Sequence, residues 1–225
     1  VKRRELRAIA GFAGFLLALL REPAETFVNP SLLASATPRL PFAYPQILIV
    51  GHSMGAVVAR RGLLDIDRDS LTDDERRRMR MLFFAPAHKG SSLPLLVRSG
   101  LGLDWLPGSA LVGSLLTNHY RSLQDLAEGS GCLEQLEADS KDAREAYSGS
   151  SSTADASAHL ASYLRAQVCH AMGDKVVVQD RFDDDHRPSE NILHQNHRTI
   201  CKPGDSYQHR LNALASLLPA VSMPP

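Results

Sequence analysis

The sequence predicts an α/β fold with a parallel, doubly wound sheet, and three observations carry that expectation. Gln46-Ile47-Leu48-Ile49-Val50 and Met81-Leu82-Phe83-Phe84-Ala85 are continuous apolar runs, as expected of strands buried on both faces. The segments between such runs read as helices, and strands separated by helices form a parallel sheet with crossover connections. At 225 residues the chain has room for one sizeable core and little for a second, so a single domain is expected.

The elements follow in order. Residues 1–21 read as a helix that stops near Glu22-Pro23. Its basic start (Lys2, Arg3, Arg4, Arg7) and apolar Ala8 to Leu20 imitate a signal peptide. Those thirteen apolar-run residues are too few to span a bilayer, and no small-x-small cleavage site follows directly. A helix of the domain's own layer is expected, with a membrane-surface anchor as the alternative. Residues 22–45 hold five prolines and read as a loop. After the strand at 46–50, residues 54–65 read as a helix whose small first-turn residues, Gly55, Ala56 and Ala59, allow close packing on that strand. The run from Asp65 to Arg80 alternates acidic and basic blocks and reads as a solvated helix-and-loop surface. The second strand ends at Pro86.

The interval 91–165 has helical stretches at Ser109 to Leu126 and Leu133 to Ala146 and no convincing strand. It is expected to be a helical lid inserted in the domain; its leucines and Trp105 would line an apolar pocket or serve as plain core. A third strand fits Ala166 to Ala171 and a fourth fits Asn191 to His194. The last helix is expected from Asp205, capped with Gln208, with Tyr207, Leu211, Leu214 and Leu218 as its apolar stripe.

Composition excludes some functions. Lys plus Arg number 25 and Asp plus Glu 25, so no global field attracts nucleic acid or an anionic membrane. Three cysteines, Cys132, Cys169 and Cys201, are too few and scattered for a disulfide framework or a CxxC metal site. A reduced, cytoplasmic protein is expected, with a Cys169–Cys201 bridge as the open alternative. The run Asp183-Asp184-Asp185-His186 reads as a solvated loop; a metal site there lacks any defining Gly and Glu pattern. No cofactor is expected.

Chemistry enters at Gly51-His52-Ser53-Met54-Gly55, a G-x-S-x-G pattern between a buried strand and a helix. A serine there occupies a strained turn, so the positions two residues to either side are expected to lack side chains. The helix start beneath it favours developing negative charge, and the Met54 backbone N–H is expected to be an oxyanion donor. His52, inside the turn, is expected to point away from Ser53 and act structurally. A serine hydroxyl also needs a base to take its proton and an acid to orient that base.

The segment Ile47 to Arg60 resembles the nucleophile elbow of lipases and serine esterases of the α/β-hydrolase fold. Three later segments resemble esterases related to GPI inositol deacylase. They are Phe84-Ala85-Pro86-Ala87-His88-Lys89-Gly90-Ser91, Leu123-Gln124-Asp125-Leu126-Ala127-Glu128-Gly129-Ser130 with Leu133 and Leu136, and Asn196-His197-Arg198-Thr199-Ile200-Cys201-Lys202-Pro203. The likeness covers about residues 46–218, with 92–120 unmatched; Ala56 stands where Gly is commoner, and Ala87 is an extra residue before His88. That fold orders its triad Ser, then Asp or Glu, then His. His197, after the last short strand and in the family-like context, is the expected general base, with His194 and His209 as rivals. The resemblance implies Asp174, in Gly173-Asp174-Lys175-Val176-Val177, as the acid; the competitor is the Asp183 run. His88 is expected to be a core or loop-organising histidine.

The function this implies is hydrolysis of a small-molecule or lipid carboxylic ester through an acyl-enzyme on Ser53. The alternatives are acyl transfer or amide hydrolysis on the same triad, or a non-catalytic interaction module. The resemblance further implies that the chain corresponds to the fold from its fifth strand onward. Four upstream strands and a Gly-rich loop donating the second oxyanion N–H would then be encoded before it.

Overall fold

In a computed structural model the described residues are 3–21, 44–92, 126–149, 162–183, 185–186 and 189–202. Four strands, β1 (Ile47–His52), β2 (Met79–Phe84), β3 (Ala166–Ala171) and β4 (Glu190–Ile192), form one sheet in the order β1-β2-β3-β4. Every pairing is parallel, with Ile49 beside Met81, Met81 beside Ala166 and Cys169 beside Glu190. The expected α/β fold with a parallel sheet flanked by helices is therefore the observed one.

Alternation along the strands divides the core in two. Ile47, Ile49, Met79, Met81, Phe83, Ala166 and Val168 pack on one face with Ala56, Ala59, Leu63 and Ile66 of α2 (Met54–Ser70) and Ala13 and Leu16 of α1 (Arg3–Arg21). Leu82, Phe84, Cys169 and Ala171 point to the other face, where Leu126, Leu133, Val176, Val177, Ile192 and Ile200 cover them. Both faces of β2 are thus buried from Met81 onward, which is why Met81 to Phe84 is apolar without a break. Helix α1 packs on α2 as a layer helix, and no described helix is long and apolar enough to cross a membrane. The expected helix from Asp205, most of the expected lid and His209 lie outside the described residues; α4 (Gly131–Gly149) is the described helix of that interval.

Two expectations need correction. Helix α2 continues to Ser70, and the charged run after it is partly core. Within it α3 (Asp73–Arg78) opens with a capping box: Thr72 Oγ1 accepts from Glu75 N–H, and the Glu75 carboxylate accepts from Thr72 N–H at 2.7 Å. Glu75 and Arg76 are buried. The Thr72-x-x-Glu75 spacing is a readable start signal, masked by the charge that surrounds it. Asp185 is not on a solvated loop either. It is buried against the fully buried Arg60, Oδ1 accepting from Arg60 Nη2 at 2.6 Å and from Ala166 N–H at 2.9 Å. Arg60 Nη1 also donates to Ser140 Oγ and to the Leu164 carbonyl. One buried guanidinium therefore joins α2, α4, the turn before β3 and the loop before β4.

His88 lies in this cluster, as a core histidine. Its ring stacks on Phe182 at 4.7 Å and meets Phe83 edge-on at 5.2 Å. Neither ring nitrogen has a hydrogen-bond partner among the described residues. Burial, then the Arg60 charge, push its pKa well below the ordinary value, so it is neutral when folded. Unfolded, it takes up a proton near pH 6.5. The unfolded chain thus binds more protons below that pH, and stability is lost as pH falls below about 6.5. Each such proton contributes a slope of up to about 1.4 kcal/mol per pH unit. Urea unfolding between pH 7 and 5 is expected to show a shallower loss for His88→Phe than for wild type; equal slopes would show that His88 does not carry it.

Candidate active site

The site forms where the chain leaves β1, β3 and β4 at their carboxyl ends. Leaving β1, Ser53 takes φ 54° and ψ −125°, a left-handed conformation that costs a side-chain-bearing residue about 1–3 kcal/mol. Serine is a favoured N-cap, yet Ser53 makes no side-chain cap to α2. The strain turns its hydroxyl off the helix axis, and Oγ lies 3.0 Å from His197 Nε2. The turn is held by its neighbours: Ser53 N–H donates to the Phe84 carbonyl, and the Ser53 carbonyl accepts from Ala87 N–H.

Among the described residues, the expected need for small flanking residues is seen on one side only. A Cβ on Gly51 would stand 2.8 Å from Ala56 Cα and 2.9 Å from the Phe83 ring, so the strand end admits no side chain. A Cβ on Gly55 would meet nothing within 4 Å among the described residues. Helix α2 passes over Gly51 at Ala56, and Gly55 faces away from that contact.

Leaving β3, the chain turns through Gly173 to Asp174. Asp174 is buried, with Oδ1 accepting from Val176 N–H at 2.7 Å and Val177 N–H at 3.3 Å. Its other oxygen, Oδ2, accepts from His197 Nδ1 at 2.9 Å. Gln179 Nε2 donates to the Ala171 and Asp174 carbonyls and closes the turn. Val178 N–H donates to the Gly90 carbonyl and Ser92 N–H to the Val176 carbonyl, while Ser91 N–H reaches Leu126. The segments around Gly90 and Leu126, singled out in the sequence, therefore serve as the frame of the Asp174 turn.

Leaving β4, a turn carries His197, itself buried. Asn196 Oδ1 accepts from the N–H groups of Arg198 and Thr199 and orders the turn's far side. Gly173 N–H donates to the Gln195 carbonyl at 3.0 Å, and a Cβ on Gly173 would stand 2.8 Å from that oxygen. Gly173 thus permits the backbone-to-backbone approach that sets Asp174 beside His197.

Of the expected site residues, the structure brings together Ser53, Asp174 and His197. The rival His194 is exposed on the turn after β4, at φ 60°, and the rival Asp183 is exposed. Met54 opens α2, and its backbone N–H has no acceptor among the described residues. Its side chain is exposed, as are Met172 after β3 and Leu193 after β4, so each strand end bearing a site residue also presents an apolar side chain to solvent.

His52 was expected to be structural, and its contact had no signal in the sequence. Its Nε2 donates to the His197 carbonyl at 2.7 Å, and the two rings lie 4.8 Å apart, tilted at 43°. No disulfide joins Cys132, Cys169 or Cys201, and burial followed by the Glu190 carboxylate pushes the Cys169 thiol up to about 12, an unreactive state. Among the described residues, no group of three or more His, Cys, Asp or Glu is arranged to hold a metal ion.

The chain matches no protein-family model and no curated protein. It is similar to two solved structures of phospholipase PlaB from Legionella pneumophila. One, in complex with thio-NAD, has a TM-score of 0.36 and 17% identity, covering 75% of this chain and 31% of that one. The other has a TM-score of 0.35 and 17% identity, covering 72% of this chain and 28% of that one. The chain spans less than a third of the length of either. At this degree of likeness the activity has to be argued from the site itself.

Proposed function

We propose that the protein is a serine hydrolase that cleaves a carboxylic ester through an acyl-enzyme on Ser53. The observation that carries the reading is the unbroken relay from Ser53 Oγ to His197 Nε2 at 3.0 Å and from His197 Nδ1 to Asp174 Oδ2 at 2.9 Å. In this reading Asp174 holds Nδ1 protonated, which leaves the Nε2 lone pair facing the hydroxyl. As Oγ bonds to the ester carbonyl carbon, its proton passes to Nε2 and the carbonyl electrons move onto oxygen. The Met54 N–H, at the positive end of α2, is the donor for that oxyanion. Collapse expels the alkoxide, which takes the proton from Nε2, and water then repeats the sequence to release the acid.

The exposed Met54, Met172 and Leu193 favour a substrate with an apolar part, such as a lipid ester. The likeness of three segments to esterases related to GPI inositol deacylase is the finer form of the same proposal. Incubation with a fluorophosphonate probe is expected to label Ser53, and Ser53→Ala to abolish labelling. Mass-spectrometric detection of the adduct on another serine, with Ser53 unmodified, would sink the assignment.

A further inference from the structure

We propose that His52 is a positioning residue for the general base, fixing the backbone of His197 so that its imidazole stays in line with Ser53. The inference rests on the reading of His197 as the base of a serine hydrolase.

The contacts close a circuit. His52 Nε2 donates to the His197 carbonyl at 2.7 Å, His197 Nε2 meets Ser53 Oγ at 3.0 Å, and Ser53 follows His52 in the chain. Residues 144 and 145 positions apart are thereby joined twice, once through the reacting atoms and once behind them. A carbonyl only accepts, so His52 carries its proton on Nε2. Burial, then the neighbouring His197, lower the His52 pKa and keep that ring neutral.

The second link has a mechanical purpose. His197 lies on a turn between β4 and the end of the described chain, not within a strand or long helix that would fix its backbone. Its turn is tied to the acid side at Gln195 by Gly173 N–H. The tie at residue 197 comes from His52, on the nucleophile side. Acid, base and nucleophile stand on three separate loops, and these two bonds to backbone carbonyls tie the turn of the base to each of the other two, independently of the side-chain relay. Displacing a reacting group by about 1 Å costs about 10²-fold in rate, and the His52 bond opposes such a displacement of His197 from Ser53.

Two variants separate the donor from the ring. His52→Phe keeps an aromatic ring against His197 and removes the donor. His52→Gln removes the ring and keeps an N–H at similar reach. With a short-chain p-nitrophenyl ester as probe, His52→Phe is expected to lower kcat about 10²-fold with KM nearly unchanged, and His52→Gln to retain most of kcat. Nitrogen-15 spectra of the imidazoles supply a readout independent of turnover: His197 is expected to be a single Nδ1–H tautomer in wild type and in His52→Gln, and a mixture in His52→Phe. Wild-type kcat together with an unaltered His197 spectrum in His52→Phe would overturn the proposal, as would equal losses in both variants. If wild-type Ser53 takes no fluorophosphonate, the hydrolase reading fails and this one with it; labelling of wild type with no difference among variants removes this one alone.

Discussion

Replacing His197 with alanine is expected to lower kcat by about 10⁶-fold, and Asp174→Asn by about 10⁴-fold. The first change removes the only base within reach of Ser53 Oγ among the described residues, and a hydroxyl does not release its proton unaided. The second is smaller because the imidazole remains, and its cause is set by the Asp174 turn. Oδ1 already accepts two backbone N–H groups, from Val176 and Val177. An asparagine would keep its carbonyl oxygen on those donors and turn its NH₂ toward His197 Nδ1. Nδ1 would then have to accept, the ring proton would move to Nε2, and that nitrogen could no longer take a proton from Ser53. Initial rates on an activated ester, normalised to the amount of folded protein, measure both effects. Near-wild-type activity in Asp174→Asn, with loss in a variant of the exposed Asp183, would move the acid elsewhere.

Asp185→Ala is expected to destabilise the fold by about 3–5 kcal/mol, a large fraction of what holds an ordinary domain. The Arg60–Asp185 pair is buried on both sides, with side-chain exposures of 0%. Removing the carboxylate leaves a guanidinium charge in the core with no anionic partner among the described residues, beside the Ser140 hydroxyl, the Leu164 carbonyl and the Phe83 and Phe182 rings. It also deprives Ala166 N–H, at the first residue of β3, of its acceptor. Replacing both members by apolar residues, as in Arg60→Met with Asp185→Leu, is expected to recover much of the loss, because the cost lies in the unpaired charge. The urea midpoint at constant slope is the measurement. A shift under 1 kcal/mol for Asp185→Ala would mean that the pair contributes little to the folded state.

Both predictions turn on residues whose roles differed in how well they could be read. Ser53 was legible because its constraint is local: a strand, a strained turn and a helix start are neighbours in sequence, so one pattern names all three. Asp174 and His197 needed the order of triad residues and a resemblance to be chosen over Asp183, His194 and His209, since nothing local says which of several loops reaches the serine. Asp185 was misread because charge density predicts solvent in general, and its partner Arg60 is 125 residues away on α2. Gly55 was over-read: the motif includes it, but of the two glycines only Gly51 meets the helix among the described residues.

The sequence by itself determined the parallel α/β architecture, the four described strands to within two residues at their ends, and the turn that bears Ser53. Periodicity and turn chemistry are short-range properties, and a central strand buried on both faces, as β2 is from Met81 to Phe84, writes them plainly into its sequence. Only the tertiary structure decided that His52 grips the His197 carbonyl, that Gly173 lets two loops touch, and that Arg60 and Asp185 form a buried pair. Each of those contacts joins residues from separate loops or elements, and its energy depends on distance and burial, quantities that come into being only when the strands align in register.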